Sequence, residues 1–287
     1  MLKKGSFPLT IKCSNFTSGN LILTIYLKGM EVKRIFKNAI VRKPCPEMID
    51  GLTTAGLGKP DYSKALEQHA RYVEVLKECG LTVKVLDADG RYPDSTFIED
   101  VALCTPKCAV ITNPGAETRK GEIAGMNEVL REFYGNIEQI KAPGTLEAGD
   151  IMMAGDHYYI GISARTNDEG AEQLINILNR YGLTGSKVSL FEMLHLKTGL
   201  SYIEENNLLI FGEYLKNPEF KKFNQIVISP EEAYSANSVW VNGNVLVPAG
   251  YPGTKKKIEQ AGYKVIEVDV SEFRKLDGGL SCLSLRF

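Results

Sequence analysis

One thiol, one imidazole, several carboxylates and two guanidinium groups stand out as the side chains whose settings could do covalent chemistry. Cys282 lies in DGGLSCLSLRF near the C-terminal end, shortly after Gly278 and Gly279, a pair that permits close backbone approach. A free thiol has a pKa of about 8.5 and is only a few per cent thiolate at neutral pH. Cys282 therefore needs a histidine or a bound cation nearby to act as a nucleophile, and without one it reads as a buried strand cysteine. Three histidines are present. His69 falls on the apolar side of a helical stretch and reads as a packed structural residue. His157 precedes a strand in GDHYYIG and reads as a turn residue. His195 sits between leucines in EMLHLKTGLSY, with a glycine turn four residues on, and is a core residue unless partners convert it into a catalyst.

Carboxylates and arginines could supply those partners. Asp94, Glu99 and Asp100 occur in PDSTFIED, Glu147 and Asp150 in GTLEAGD, and Asp277 directly before the glycines. Any one of them could be a solvated turn. If FIED is extended, Glu99 and Asp100 point to opposite faces, and one at most reaches a shared site unless a bulge intervenes. Arg119 and Arg165 follow strand-like runs in comparable positions. An arginine fork binds a carboxylate bidentately and acids bind a guanidinium equally well, so the set fits a zwitterionic small molecule with a cationic end and a carboxylate end.

The elements that must carry these residues alternate between apolar strand-like runs and amphipathic helical stretches, the pattern of an α/β protein. Leu66, Ala70, Val73 and Leu76 predict a helix over residues 63–79, stopped by Gly80, and Ala171, Leu174, Leu178 and Tyr181 predict another over 171–181, capped by Gly182. Five runs resemble one another: NAIVRKP, CAVITNP, YYIGISART, NLLIFGE and NVLVPAGYP. Each leads into a turn, with helical segments expected from Ser63, Arg119, Glu169, Glu213 and Thr254. A strand, turn and helix repeated about every 40 to 70 residues suits a radial array, in which turns at one end of the strands converge on an axis. An ordinary open α/β sheet would give similar runs.

Composition narrows the partners. The chain of 287 residues carries 34 basic and 35 acidic side chains, a net charge of -1, with no basic stripe for nucleic acid and no polybasic patch for a membrane. Six cysteines, at positions 13, 45, 79, 104, 108 and 282, show neither a CxxC pair nor zinc-like spacing, so no metal and no disulfide framework is expected. Cys104 and Cys108 read as structural, and a reducing, cytoplasmic setting fits. Lys3, Lys4 and the short apolar run 21–27 make a poor signal peptide. Residues 1–29 are read as an extension of unknown role, ahead of a single catalytic domain over 30–287.

The segments PDSTFIEDVALC, APGTLEAGDIMM, YIGISARTN, MLHLKTGLSY and VIEVDVSEFRKLDGGLSCLSLRF resemble, in the same order, the motifs of bacterial dimethylarginine dimethylaminohydrolases. The resemblance runs from about Met30 to Phe287 and spreads over every repeat. It implies the pentein or amidinotransferase fold, a fivefold pseudosymmetric α/β propeller. By motif it implies Cys282 as nucleophile, His195 as general acid and base, and Glu147 as the group that orients and charge-stabilises the imidazole. Asp94, Glu99 and Asp100 would then line the guanidinium end, and Arg119 and Arg165 would hold the α-carboxylate. Leu52, in the glycine-bearing loop DGLTTAGLGKPDY, and Leu276 would contact substrate mainly through backbone groups. That loop suits a mobile lid. Asp277 is a second guanidinium or loop-fixing candidate.

The implied reaction needs no cofactor. Carboxylates keep the guanidinium charged, the cation favours the thiolate, and His195 protonates the departing amine and then activates water to release citrulline. A homodimer is also implied. An arginine or agmatine deiminase shares the fold and nucleophile and differs at the leaving group. A binding protein resembling the ribosome anti-association factors would share the propeller without the catalytic set.

Overall fold

A computed structural model describes residues 35–287. The expected extension, residues 1–29, the Met30 boundary and Cys13 lie outside the described residues. Five three-stranded sheets make up the described chain, all with one internal pattern. The central strand pairs antiparallel with a short strand on one side and parallel with a third on the other. In chain order the central strands are β1 (Asn38–Arg42), β4 (Ala109–Ile111), β7 (His157–Ile162), β10 (Asn207–Ile210) and β13 (Asn244–Pro248). They are the five similar runs of the sequence. Their middles are fully buried, which is why they read as continuous apolar runs and not as alternating ones.

The short antiparallel partners are β3 (Ala102–Cys104), β6 (Ile151–Ala154), β9 (Leu200–Tyr202), β12 (Val239–Val241) and β15 (Leu285–Arg286). The parallel partners are β2 (Thr82–Leu86), β5 (Ile137–Gln139), β8 (Thr184–Ser189), β11 (Asn224–Val227) and β14 (Lys264–Val268). Four of the five sheets are contiguous in sequence. In the remaining one, the C-terminal β15 pairs with β1, Ile40 opposite Leu285, so the last strand of the chain completes the first sheet. This is the fivefold propeller that the resemblance implied, and not the open sheet that the repeats left possible.

A connection returns each central strand to its parallel partner, helical in most cases. Helix α1 (Tyr62–Glu78) is capped by the Asp61 side chain on Lys64 N, and α3 (Asp168–Arg180) by Asn167 on Gly170 N. The second sheet uses α2 (Met126–Arg131) and the fifth α4 (Pro252–Gln260), while the fourth makes do with 3-10 turns at Gly212–Lys216 and Pro218–Phe220. The expected stripe of α3 is the buried one. That of α1 is rotated from expectation: Ala65, His69, Tyr72 and Leu76 face the core, whereas Leu66 is 37% exposed and Ala70 is exposed. Tyr72 and Leu76 are fully buried, each contributing about 1.5–3 kcal/mol, and they fix the rotation. His157 opens β7 instead of occupying a turn, its ring nitrogens 2.8 and 2.9 Å from Thr184 Oγ1 and Ser186 Oγ. The five described cysteines are free thiols. Among the described residues, no helix is long and apolar enough to cross a membrane.

Candidate active site

Each short antiparallel strand is preceded by a 3-10 turn, at Ile98–Val101, Ala148–Asp150, Leu196–Thr198, Pro230–Ala236 and Ser281–Leu283. These five turns bring Glu99 and Asp100, Glu147 and Asp150, His195 and Lys197, Asn237, and Cys282 together. A 3-10 turn suits the task because its tight, few-residue path aims neighbouring side chains in different directions.

His195 Nε2 lies 2.9 Å from Glu147 Oε2, and Glu147 itself is fully buried. On the neighbouring turn, the Gly149 N–H donates to Asp100 Oδ1 at 2.9 Å. Glycine is required there, since a Cβ would come within 2.9 Å of His195 Nδ1 and 2.8 Å of Asp100 Oδ1. Cys282 and His195 line one cavity of about 190 Å³, together with Asp277 and Lys197. The Cys282 sulfur accepts a hydrogen bond from Gly279 N at 3.4 Å.

The loop after β1 closes against the same region. Leu52 N donates to both Asp94 oxygens, at 3.0 and 3.3 Å. Thr54 N and Oγ1 donate to Asp277 Oδ2, at 2.5 and 3.0 Å, and Leu276 packs against Gly51. Asp277 therefore fixes the loop, one of the two roles expected of it. Arg165 is partly exposed, with Nη1 3.4 Å from Glu147 Oε1.

Two carboxylate and guanidinium expectations meet different surroundings. FIED is not extended but wound into a 3-10 turn. Glu99 is occupied by Lys197 Nζ at 2.5 Å, Ser281 Oγ at 2.8 Å and Arg286 Nη2 at 3.3 Å, which leaves it little capacity for a substrate cation. Arg119 is buried, its Nε and Nη2 held by Glu122 at 2.9 and 2.7 Å, its Nη1 by Asp100 at 2.6 Å, and Nη2 also donates to Phe97 O. Of its five donors one on Nη1 is left, too few for a bidentate carboxylate clasp in this conformation. Arg165 is the arginine whose fork remains partly open.

Electrostatics assign the resting proton states. Burial opposes charge on His195, but Asp150, Asp100 and Glu147 outweigh it and lift its pKa to about 9. Burial, with Glu99 and Asp100 nearby, pushes the Cys282 thiol up to about 12, and Lys197 moderates that rise. Asp100 and Glu147 sit below the usual carboxylate range despite their burial, because Arg119 and His195 favour their charged forms. Asp94 is raised, mainly by burial. These shifts favour an imidazolium at His195 and a neutral thiol at Cys282, beside carboxylates paired with Arg119, Arg165, Lys197 and Arg286. Asp100, Glu147 and His195 also bring ligand atoms within 4.8 Å of one another, but the salt-bridged imidazolium is a poor metal ligand.

Comparison with known proteins now bears on what this arrangement does. Residues 59–229 match the model of the family described as eukaryotic N,N dimethylarginine dimethylhydrolase. An N(G),N(G)-dimethylarginine dimethylaminohydrolase from Pseudomonas aeruginosa is 58% identical over 254 residues, covering 88% of this chain and all of the relative. The chain belongs to the dimethylarginine dimethylaminohydrolase family. A Streptomyces coelicolor enzyme of the same name is 34% identical over 252 residues, 87% of this chain and 96% of the relative. The solved Pseudomonas enzyme, a cysteine-to-serine variant complexed with citrulline, superposes with a TM-score of 0.88 at 57% identity, covering 88% of this chain and all of that one. The N-terminal domain of ArgZ, at 20% identity and a TM-score of 0.79, covers 87% of this chain and 97% of its own and shares the fold.

For this member of the dimethylaminohydrolase family, several site residues escaped the reading of the sequence. Lys197 lies two residues past His195 in the same motif, a signal that was available. Asn237 shows none: its carboxamide accepts from Ser281 N at 2.9 Å and donates to Lys197 O at 3.1 Å, bracing the Cys282 turn against the His195 turn. Asp150 was read as a candidate acid without a role; it accepts from Leu196 N at 3.0 Å and so seats the histidine turn.

Proposed function

We propose that this chain hydrolyses Nω-methylated arginines to citrulline and methylamine or dimethylamine, through a covalent thiouronium on Cys282. The observation that carries the reading is the convergence of Cys282 and the Glu147-bound His195 on one cavity, with Asp100 held behind it on the Gly149 N–H. Carboxylates bind a guanidinium, and Asp94 and Asp100 would receive it. Arg165 would take the α-carboxylate, with the loop around Leu52 and the Leu276–Asp277 segment closing over the amino-acid end as a lid.

The resting protonation states give the order of steps. A cation bound beside Asp94 and Asp100 offsets the carboxylate share of the penalty on the thiolate, and the Cys282 proton leaves to solvent. The thiolate attacks the guanidinium carbon to give a neutral tetrahedral adduct. His195, already an imidazolium, gives its proton to the departing amine, and the C–N bond breaks to leave a thiouronium. The amine then takes up a proton from solvent. Neutral His195 accepts a proton from water as the oxygen adds to the same carbon. Collapse breaks the C–S bond, the hydroxyl proton passes to the sulfur, and citrulline leaves.

The catalytic domain is proposed to span residues 30–287, in keeping with the 254-residue match to the whole Pseudomonas relative. A reducing cytoplasmic setting suits the free thiols, and a homodimer follows from the resemblance. Citrulline formation from asymmetric dimethylarginine, monomethylarginine, arginine and agmatine tests the reading. Turnover of the methylated substrates that Cys282→Ser abolishes is the expected result; preference for arginine or agmatine would make the chain a deiminase.

A further inference from the structure

The groups proposed for the amino-acid end and the lining of the cavity beside Cys282 are largely different residues. Leu52, Asp94 and Leu276 gather around Gly51, and of the loop-fixing set only Asp277 reaches the cavity. Much of the rest of its lining comes from segments flanking the fourth and fifth sheets, where Met193, Phe211, Ala233 and Tyr234 form an apolar wall. Among the described residues, no arginine lines it, and its lysine, Lys197, is already bound to Glu99. An α-carboxylate finds no fork there.

Size and rigidity say what could occupy it. A water-sized leaving group such as ammonia takes up about 30 Å³, and a cavity of about 150 Å³ is known to admit benzene. The cavity here, at about 190 Å³, takes in Cys282 and His195 and so also houses the guanidinium, and it is several times the volume of ammonia. Its wall is also braced from behind. The Tyr234 hydroxyl donates to Gly278 O at 2.7 Å, and the ring lies 4.9 Å from the Arg274 guanidinium. Met193 is held by its N–H on Glu213 at 3.1 Å, with its methyl group against Gly199 and Gly212.

We infer that this cavity seats the substituent on the leaving nitrogen, and that the chain hydrolyses guanidino amino acids carrying an ethyl or propyl group there. The inference rests on the hydrolase reading above. Sulfur bonds to the guanidinium carbon, the bond from that carbon to the alkylated nitrogen breaks, and His195 protonates the departing alkylamine. Water then displaces the sulfur, so citrulline is again the product. The alkyl group leaves water for the apolar wall, an interaction that ammonia cannot make.

The test compares kcat/KM for citrulline formation from Nω-methyl-, Nω-ethyl- and Nω-propylarginine, with asymmetric dimethylarginine alongside. A methylene that fits or fails to fit an apolar pocket changes this ratio roughly ten- to 200-fold. The expected result is that ethyl and propyl substrates retain at least a tenth of the monomethyl value; retention below that overturns the inference. Ala233→Leu, which fills the wall, is expected to lower the propyl-to-methyl ratio at least about tenfold. An unchanged ratio in the folded variant would overturn the placement of the alkyl group. The wild-type comparison stands even if the variant fails to fold. Loss of the inference alone leaves dimethylarginine turnover intact, whereas no turnover of any substrate would remove the hydrolase reading itself.

Discussion

At the scale of single residues, the proton on Cys282 and the proton on His195 are linked through the carboxylates between which both sit. Burial, then Glu99 and Asp100, disfavours the thiolate, while Asp150, Asp100 and Glu147 favour the imidazolium against its burial. Binding of a methylated arginine should therefore release about one proton in wild type and none in Cys282→Ser, measured with an indicator dye in weak buffer. Lys197 is a cation that holds the thiol pKa down, and Lys197→Met should push the thiol higher still. Its iodoacetamide inactivation would then need a more alkaline pH than wild type; an unshifted profile would count against this electrostatic role. Glu147→Gln should lower kcat by about 10²- to 10⁴-fold and move the basic limb of its pH profile down, because the imidazolium loses its closest anion. The raised His195 pKa also contributes stability that is complete below its unfolded value near 6.5 and is lost as pH rises through about 9. Glu147→Gln should therefore unfold with less alkaline dependence over that window.

At the scale of elements, what the sequence discloses follows from burial and length. The five central strands were legible because they are buried on both faces, and α3 because its stripe is simple. The short antiparallel strands, two to four residues each, are too short for any periodicity to appear, and so the turns that carry the candidate site had no visible frame. The catalytic types could be named without that frame, but their surroundings could not. Nothing local to Arg119 shows that Asp100, 19 positions away, would enclose it with Glu122. His69 in α1 is a case where the bland reading held. It is 3% exposed, its Nε2 has no hydrogen-bond partner, and burial lowers its pKa to about 4. The folded state then resists a proton that the unfolded chain accepts below about 6.5, so acid costs stability between those values. The cost is about 3 kcal/mol. In urea unfolding at pH 7 and at pH 4, wild type should lose about that much more than His69→Leu, and equal losses would exclude His69 as the acid-sensitive group.

At the scale of the whole molecule, one short pairing joins the ends of the described chain and places Cys282, the proposed nucleophile. Cys282 stands three residues before β15, and β15 completes the first sheet through Ala39 opposite Arg286 and Ile40 opposite Leu285. Lys37 N and Asn38 N both donate to Phe287 O, and the Phe287 N–H returns to Asn38 O at 3.0 Å. The Phe287 ring packs 5.1 Å from both Phe133 and Tyr134 of the second sheet's connection, so the closing strand also clasps the neighbouring repeat. Leu285 is buried in the core cluster it shares with Ile40, Ile111 and Leu130. Replacing it with alanine should cost about 2–5 kcal/mol, because the cavity left at a closure point cannot collapse without opening the ring. For a domain of this size that lowers Tm by roughly 5–15 °C, readable by calorimetry. Because the same strand sets the position of Cys282, the variant should also lose activity at temperatures where its secondary structure is intact. Activity that followed the melting curve alone would mean that the nucleophile's turn holds its place without the closing strand, through Asn237 and Glu99 on Ser281.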